Sequence, residues 1–344
     1  MTTLKHAEPI DQPHSVHELT ARLFPAYQVD GGSLRLAGCT LEDRLFARLG
    51  YRVGERSLVL LLDAQGQLLS SDLRQQLGLD ELRPLAKPPR RYSGELQPAV
   101  QAGATLAAKG MANADDATSP ELTEETAVWC KYTEGKLHFS IGAAIAELPF
   151  AGWSRTLEPP PFVCPVTGAR TFHLAATDDG RIVAAEQIGV CAVSGRRVLS
   201  QELVECSATG KRALAEYTEV CPVSGKAMLK SELVQCENCR QRVSPAVVQR
   251  GRCRACARMQ PVSKDDPRMA LLLHEHPALD YWRHWRLAET SQAYILTAAR
   301  WLGRLMVVVD RQSLELRLVA SGHRLLRGWT VATPDQYAFV LRDS

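Results

Sequence analysis

Cysteine is the residue type in this 344-residue sequence whose spacing most clearly predicts chemistry. Two pairs, each with a gap of two residues, stand close together: Cys236 with Cys239, and Cys253 with Cys256. Four thiolates from two such turns bind zinc tetrahedrally and leave no coordination position open, so the ion stabilises a fold and does not activate water. The sequence therefore predicts one structural zinc ion per chain, held by these four cysteines.

Cys236 is also the last cysteine of a sequence repeat in which cysteines recur every fifteen residues. Each earlier member has Ser or Thr in place of the second cysteine, then Gly and a basic residue, and Leu eight positions after the cysteine; these members are Cys191, Cys206 and Cys221. Cys164 begins a further copy, with Phe172 at the leucine position and a longer insert after it. A hydroxyl can hydrogen-bond to the turn backbone. We therefore expect small β-hairpins that stack and share a leucine layer.

The lone cysteines leave two interpretations open. Cys164, Cys191, Cys206 and Cys221 can meet in space and form a second metal site, with His173 as a helper. The preferred interpretation is that they are small buried apolar residues. A redox role for one of the complete pairs would need a surrounding βαβ pattern, which this sequence lacks.

The last unit resembles the knuckles of the zinc-ribbon and treble-clef finger superfamily. Those knuckles commonly read Cys-x-x-Cys-Gly, followed by a basic residue and an apolar strand. The resemblance covers about residues 163–258, and it is specific only where the second cysteine is present. It implies a tandem array of mostly degenerate units, with metal ligation carried over to Cys236, Cys239, Cys253 and Cys256 alone.

Basic residues around the predicted metal site suggest nucleic acid as a partner. Six arginines lie there with only Glu237 in opposition: Arg240, Arg242, Arg250, Arg252, Arg254 and Arg258. They can contact phosphates with an affinity that falls steeply with salt, or they can form a solvated basic face. Further on, Trp282-Arg283-His284-Trp285 mixes aromatic and cationic residues as single-strand binders do. A helix would, however, place both tryptophans on one core-facing stripe.

Three histidines invite an enzymatic hypothesis. His274, His276 and His284 would be the centre of a nuclease-like enzyme, but they lack the His-His or His-Asn order of finger nucleases. The sequence also contains no phosphate-binding loop, no His-Glu-x-x-His and no Gly-x-Ser-x-Gly. We therefore assign no catalytic residue, and no small-molecule substrate is indicated.

Composition and charge bear on where in the cell this protein is expected. The chain carries 41 Lys and Arg against 38 Asp and Glu, and residues 163–261 hold fourteen against nine. No apolar run reaches the length of a membrane span, and the N-terminus lacks the apolar region of a signal peptide. We expect a cytoplasmic protein with no membrane contact, in which reduced cysteines favour metal over disulfides.

Apolar periodicity predicts an α+β multidomain chain. Residues 27–91 alternate like strands and include a short helix ending at Gly78, and a turn near residues 133–135 suggests a hairpin. The segments are a disordered N-terminus (1–26), a small α+β module (27–91), a flexible linker (92–126), a β-hairpin segment (127–162), a tandem zinc-ribbon-like array (163–261) and a C-terminal α+β module (262–344).

Within the C-terminal module the pattern predicts two helices followed by two strands. The helices cover Met269–His276 and Tyr281–Leu302, with Pro277 between them. The strands are Leu305–Val309 and an alternating run over 314–318, joined by a turn at Asp310.

Three functions follow from these features. The first is a non-enzymatic zinc-binding adaptor that mediates protein–protein interaction in a larger assembly. The second is a nucleic-acid-binding protein that uses the arginines around the metal site. The third is the nuclease-like enzyme.

Overall fold

The computed structural model describes residues 2–91, 94–111, 119–326 and 328–343. The chain divides into two compact units, Met1–Ile188 and Gly189–Ser344. Helices and strands are mixed, with several small sheets, which confirms the predicted α+β class. In the described part of the chain, no helix is long and apolar enough to cross a membrane.

The first unit is built on one six-stranded sheet, in the order β4-β3-β6-β1-β5 with β7 added on β6. Strands β3 and β6 pair antiparallel along most of their length, and β1 runs parallel to β6. The elements are β1 (Leu4–Pro9), α1 (Val16–Leu23), β2 (Gln28–Val29), β3 (Gly32–Val53), β4 (Arg56–Asp63), α2 (Ser71–Leu77), β5 (Leu82–Pro84), α3 (Gln97–Met111), β6 (Glu121–Ile141), β7 (Ala144–Trp153), β8 (Phe162–Val163), β9 (Arg170–Thr171), β10 (His173–Ala176) and β11 (Ile182–Ala184).

Two segments predicted to lack structure are ordered, so those predictions were wrong. The N-terminus (1–26) forms β1 and α1, and the linker (92–126) contains α3 and the start of β6. A stripe of small residues on α3, Ala99, Gly103 and Ala107, is buried on β3 and β4. Small residues let a helix approach a sheet closely, so the lack of large apolar groups did not mean a lack of packing. Residues 112–118 of this tract lie outside the described residues.

The hairpin predicted near 133–135 has its turn elsewhere. Strand β6 runs through Gly135 without a break, and the chain reverses at Gly142, whose φ is +59°. A Cβ on Gly135 would lie 3.0 Å from the Cα of Cys39. This glycine therefore permits a close approach of two backbones and does not mark a turn. As a result, β6 from the predicted 127–162 segment pairs with β3 from the 27–91 module in one sheet.

The second unit begins with a series of two-stranded hairpins. Each of the first four pairs a strand before a cysteine turn with a strand after it, and a single 3₁₀ turn leads to the next hairpin. We call the five hairpins the hairpin series; its strands are β12 (Ile188–Val190), β13 (Arg197–Leu199), β14 (Leu203–Glu205), β15 (Arg212–Leu214), β16 (Thr218–Val220), β17 (Ala227–Leu229), β18 (Val234–Gln235), β19 (Arg242–Val243), β20 (Val248–Gln249) and β21 (Arg252–Cys253).

A second six-stranded sheet follows, antiparallel and in sequence order from β22 to β27. Ile295 and its same-face neighbours pack against the hairpin series, while Leu296 on the opposite face packs against α5 and α6. The elements are α4 (Arg254–Ala257), β22 (Gln260–Pro261), α5 (Pro267–Glu275), β23 (Arg283–Glu289), β24 (Ala293–Arg300), β25 (Gly303–Asp310), β26 (Leu316–His323), β27 (Thr330–Val331) and α6 (Tyr337–Asp343).

The helix predicted over Tyr281–Leu302 was wrong, because this segment forms β23 and β24. Both faces of the sheet are buried, so apolar residues occur at odd and even positions and imitate a helical pattern. Trp282 and Trp285 do belong to the core, and the indole of Trp282 donates to the carbonyl of Leu341 at 2.9 Å. The predicted strand pair with a turn at Asp310 is confirmed as β25 and β26.

Two glycines of α3 test the close packing of this helix. A Cβ on Gly103 would lie 2.8 Å from the Tyr51 hydroxyl, whereas one on Gly110 would meet nothing nearer than 4.0 Å. Gly103→Ala should therefore destabilise the first unit by about 1–3 kcal/mol through overpacking. Gly110→Ala, the matched control, should stabilise it by about 0.5–1 kcal/mol. Calorimetric unfolding of the full chain measures both, and equal effects would contradict the packing of α3.

Candidate metal centre

The last two hairpins and α4 bring four cysteine sulfurs together. Cys236 and Cys239 lie in the turn between β18 and β19, Cys253 ends β21, and Cys256 lies in α4. The amide of Glu237 donates to the carbonyl of Gly251 at 2.9 Å, which fixes one turn on the other. All four cysteines are buried, and their sulfurs lie within 4.8 Å of one another. The site is therefore preformed by backbone contacts.

The sulfur positions fit a tetrahedral metal. The Cys236 and Cys256 sulfurs are 3.9 Å apart, and those of Cys239 and Cys253 are 3.8 Å apart. Four sulfurs at zinc–sulfur distances of about 2.3 Å would lie about 3.8 Å from each other. The amide of Cys253 donates to the Cys236 sulfur at 3.3 Å. The geometry and the all-thiol donor set thus suit a closed, structural metal site, and soft thiolates favour zinc.

The crowded sulfurs strongly affect each other's protonation. The neighbouring Cys236 sulfur raises the pKa of Cys239 and of Cys256, since a second thiolate would lie beside it in a buried position. A divalent cation bound among the four sulfurs would reverse this effect, because it stabilises thiolates. Metal binding at this cluster should therefore release protons.

The complete turn and the incomplete turns share one backbone conformation. In each, the amide four residues after the cysteine donates to the cysteine carbonyl at 2.8–3.0 Å. The donor is Gly in the turns that start at Cys164, Cys191, Cys206 and Cys221, and Arg240 in the turn at Cys236. Arg240 takes the positive φ of these glycines, at +59°. The turn shape is thus the same with one cysteine or two.

The lone cysteines have a role that the sequence interpretation missed. The amides of Leu214 and Leu229 donate to the sulfurs of Cys191 and Cys206, both at 3.4 Å. The amide of Ser244 donates to the Cys221 sulfur at 3.2 Å. Each donor follows its cysteine by 23 residues, which is one fifteen-residue period plus the eight-residue offset of the leucine position. Each buried sulfur therefore links its own turn to the next hairpin.

Backbone hydrogen bonds reinforce this link. The amides of Ala192 and Ser207 donate to carbonyls of the following hairpin at 2.9 and 3.0 Å. Pro222 stands at the same position after Cys221 and has no N–H to donate. Its carbonyl instead accepts from the amide of Ser291, in the turn between β23 and β24, at 3.0 Å. The third hairpin is thus attached to the C-terminal sheet at this point.

The second metal site considered for the lone cysteines is not formed in the described part of the chain. Only Cys236, Cys239, Cys253 and Cys256 form a group of three or more ligand atoms there. His173, the proposed helper, instead pairs with Asp30 at 2.9 Å. The lone cysteines are buried, as the preferred interpretation expected, but their sulfurs also accept amide hydrogen bonds. The description of these cysteines as small apolar residues was therefore incomplete.

The insert between Cys164 and Cys191 is itself a hairpin, formed by β10 and β11. Its turn begins at Thr177 and contains Gly180, whose φ is +87°. The amide of Thr177 pairs with the carbonyl of Arg181 at 3.0 Å, and a 3₁₀ turn follows β11 as it follows the second strand of the later hairpins. The turn of the insert is one residue shorter than the cysteine turns, because the glycine amide that donates to the Thr177 carbonyl follows by three residues and not by four.

The six arginines predicted as nucleic-acid contacts are all exposed around the four-cysteine cluster. Arg242 donates to the carbonyl of Lys230 and lies 3.7 Å from Glu219. Within the described residues, the guanidinium groups of the other five have no carboxylate or hydrogen-bond partner; they belong to Arg240, Arg250, Arg252, Arg254 and Arg258. Their positive charge is thus available to solvent.

The histidines of the nuclease hypothesis are not gathered into a metal-binding group in the described chain. The ring of His276 contacts the carbonyl of Leu314 at 2.8 Å. His274 is exposed on α5, and His284 lies in a bulge of β23. These contacts give no support to a shared catalytic centre.

Comparisons with protein-family models, with curated proteins and with solved structures find no match to this chain. The assignment of the cluster therefore rests on its sulfur geometry.

The metal content of the purified chain tests whether these four cysteines bind a metal ion. We expect one zinc ion per chain by plasma mass spectrometry, because only one four-sulfur group is formed in the described residues. Cys256→Ser should lose the metal, since it removes a buried sulfur from the tetrahedron. Cys221→Ser is the matched control and should keep it. Metal retained by Cys256→Ser, or a content near two, would contradict the ligand assignment.

The thiols of Cys191 and Cys206 should make stability depend on pH. Burial alone would raise their pKa, but hydrogen bonds from Ser194 or Thr209 and from backbone amides lower it to about 7. The folded pKa then lies below the unfolded one, so this stabilisation is present above pH about 9 and is lost as the pH falls through about 7.

The double variant Cys191→Ala/Cys206→Ala should lack this dependence. Its deficit in unfolding temperature relative to wild type should grow between pH 7 and 9, as measured by calorimetry. Cys130→Ala is the control, because burial raises the pKa of that thiol and keeps it protonated throughout. A deficit that stays constant in the double variant would show that the sulfurs accept as neutral thiols.

Proposed function

We propose that this chain is a non-enzymatic, zinc-binding adaptor that presents its hairpin series to a protein partner in a larger assembly. On this proposal the hairpins are a tandem zinc-ribbon-like array in which one zinc ion, at the four-cysteine cluster, holds the final unit. A closed four-sulfur site supports a stabilising role, because it offers no open coordination position. A cytoplasmic setting would keep the cysteines reduced.

Exposed valines on the hairpins are the observation that carries the protein-binding function. Val190 directly precedes Cys191, and Val220 directly precedes Cys221. The exposed fractions of the two valines are 59% and 51%. Val193, in the first turn of the series, is exposed to a similar degree. Val190 and Val220 end the first strands of two-stranded hairpins, and each hairpin is linked to the next part of the fold at its cysteine turn. Exposed apolar groups on a folded surface suit a protein partner, since their burial favours association.

A second candidate function is nucleic-acid binding through the six arginines. The observation that favours it is the exposure of five guanidinium groups without carboxylate partners in the described chain. Phosphate contacts of this kind would supply affinity without sequence recognition.

Substitution of two exposed valines tests the adaptor function. The tagged full chain would be recovered from extracts of its native cells, and the retained proteins would be quantified by mass spectrometry. Val190→Lys/Val220→Lys should lose a stoichiometric partner, because a charge cannot be buried in an apolar contact without cost. The control is Val331→Lys on β27, a comparably exposed valine outside the hairpin series. Both variants should retain zinc.

Two results would count against the adaptor. One is that the same proteins are retained by the double valine variant. The other is that the chain retains nucleic acid, with strong salt dependence, and loses it in Arg250→Gln/Arg252→Gln/Arg254→Gln; this result would favour the second function.

A further inference from the structure

A polar cavity of about 500 Å³ lies at one end of the C-terminal sheet, and none of the four clustered cysteines lines it. Its walls come from the start of β23, the end of β24 and the end of β26, which are distant in sequence. The lining includes Asp280, Arg283, His284, Arg300, Trp301 and Arg324. A volume of this size is within the range of about 300–1,000 Å³ found for small-ligand sites.

Irregular backbone shapes this cavity. The pairing of β23 with β24 shifts register between Arg283 and Arg286, and His284 within this bulge has a φ of +53°. Trp301 lies in the two-residue turn between β24 and β25, with a φ of +49°. Both are non-glycine residues in the left-handed region, which costs free energy. Bulges redirect side chains, and here the redirected residues line one cavity.

The cavity carries unbalanced positive charge. In the described part of the chain, the guanidinium groups of Arg283, Arg300 and Arg324 have no carboxylate partner. Asp280 is the only acidic residue in the lining, and it is already paired with Lys264. Three converging arginines without partners favour an anion, and their planar groups match the oxygens of a phosphate.

Aromatic side chains stand at the same cavity. Trp301 is 88% exposed, which makes it the most exposed large apolar residue in the described chain, and Tyr281 is 57% exposed. An indole in this position has an open face on which a planar ring can stack. Stacking on exposed aromatics beside cations is how proteins bind bases without reading sequence.

We propose that this cavity binds a nucleoside phosphate, with the phosphate among Arg283, Arg300 and Arg324 and the base stacked on Trp301. The ligand is either a free nucleotide or one unit of a single strand, since both offer the same chemistry. This site is separate from the four-cysteine cluster and from the arginines around it. The aromatic and cationic run at residues 282–285 marks only part of it, because the fold adds Arg300, Trp301 and Arg324 from the ends of other strands.

Titration calorimetry of the zinc-loaded full chain tests the proposal. The probes are adenosine monophosphate, inorganic phosphate, a short single-stranded oligothymidylate and phosphatidylserine vesicles. The nucleotide or the oligonucleotide should bind more tightly than phosphate alone, because only they supply a base. Trp301→Asn should weaken that binding by at least about fivefold, the lower end for losing one stacked base. Arg300→Gln should also weaken it, because it removes a cation from the phosphate.

The variants are chosen so that folding does not obscure the result. Asparagine tolerates a positive φ better than tryptophan does, so Trp301→Asn should fold with undiminished stability while binding weakens. Trp301→Phe keeps an aromatic face and should largely restore binding. Arg196→Gln is the matched control, since Arg196 is also exposed and without a carboxylate partner in the described residues.

Each outcome decides the proposal. Binding of the oligonucleotide but not the mononucleotide supports it and identifies a single strand as the source of the ligand. Equal binding of phosphate and nucleotide, unchanged in Trp301→Asn, overturns the base-stacking assignment. No binding of either nucleotide probe overturns the proposal, as does binding to vesicles alone. Nucleotide binding that Arg196→Gln weakens as much as Arg300→Gln overturns the location.

Discussion

The second unit depends on one constraint, which is that a hairpin with only two or three residue pairs cannot bury a core of its own. Each hairpin in the series must therefore obtain its stability from its neighbours. The buried sulfurs of Cys191, Cys206 and Cys221 meet this need by accepting an amide hydrogen from the next hairpin. At the end of the series no further hairpin follows, and there the four-cysteine cluster closes the structure.

The same constraint explains why the hairpin series and the C-terminal sheet form one compact unit. The buried side of the hairpins and one face of the sheet, including Ile295 and Met306, form a single apolar cluster. A hydrogen bond from the amide of Ser291 to the carbonyl of Pro222 joins the sheet to the hairpin series, at the position where proline leaves the series without an amide donor. The other face of the sheet is covered by α5 and α6. One end of the sheet stays open, where Trp301 is 88% exposed.

Local spacing predicted the features that depend on local geometry. The convergence of Cys236 and Cys239 follows from a two-residue gap, and in the incomplete turns the turn shape follows from the glycine after the Ser or Thr. The link from Cys191 to Leu214 also has a sequence signal, the sum of the repeat period and the leucine offset. Features that depend on packing between distant segments were missed or misassigned. The helix α3 was missed because its buried residues are small, and β23 and β24 were taken for a helix because both sheet faces are apolar. The cavity at Trp301 unites three strands, and the sequence pattern at Arg283 and His284 indicated only one of its walls.

The direction of the sulfur bonds has a consequence for the order in which this protein can be completed. The sulfurs of Cys191, Cys206 and Cys221 each accept from an amide that is synthesised 23 positions later, so a nascent chain ending before Leu214 leaves Cys191 without this donor. Each new hairpin satisfies the one before it and brings a new unsatisfied sulfur, until the four cysteines at the end satisfy one another. On the proposed zinc-binding function, capture of a metal would be the step that ends this sequence, at the end of the series that is synthesised last.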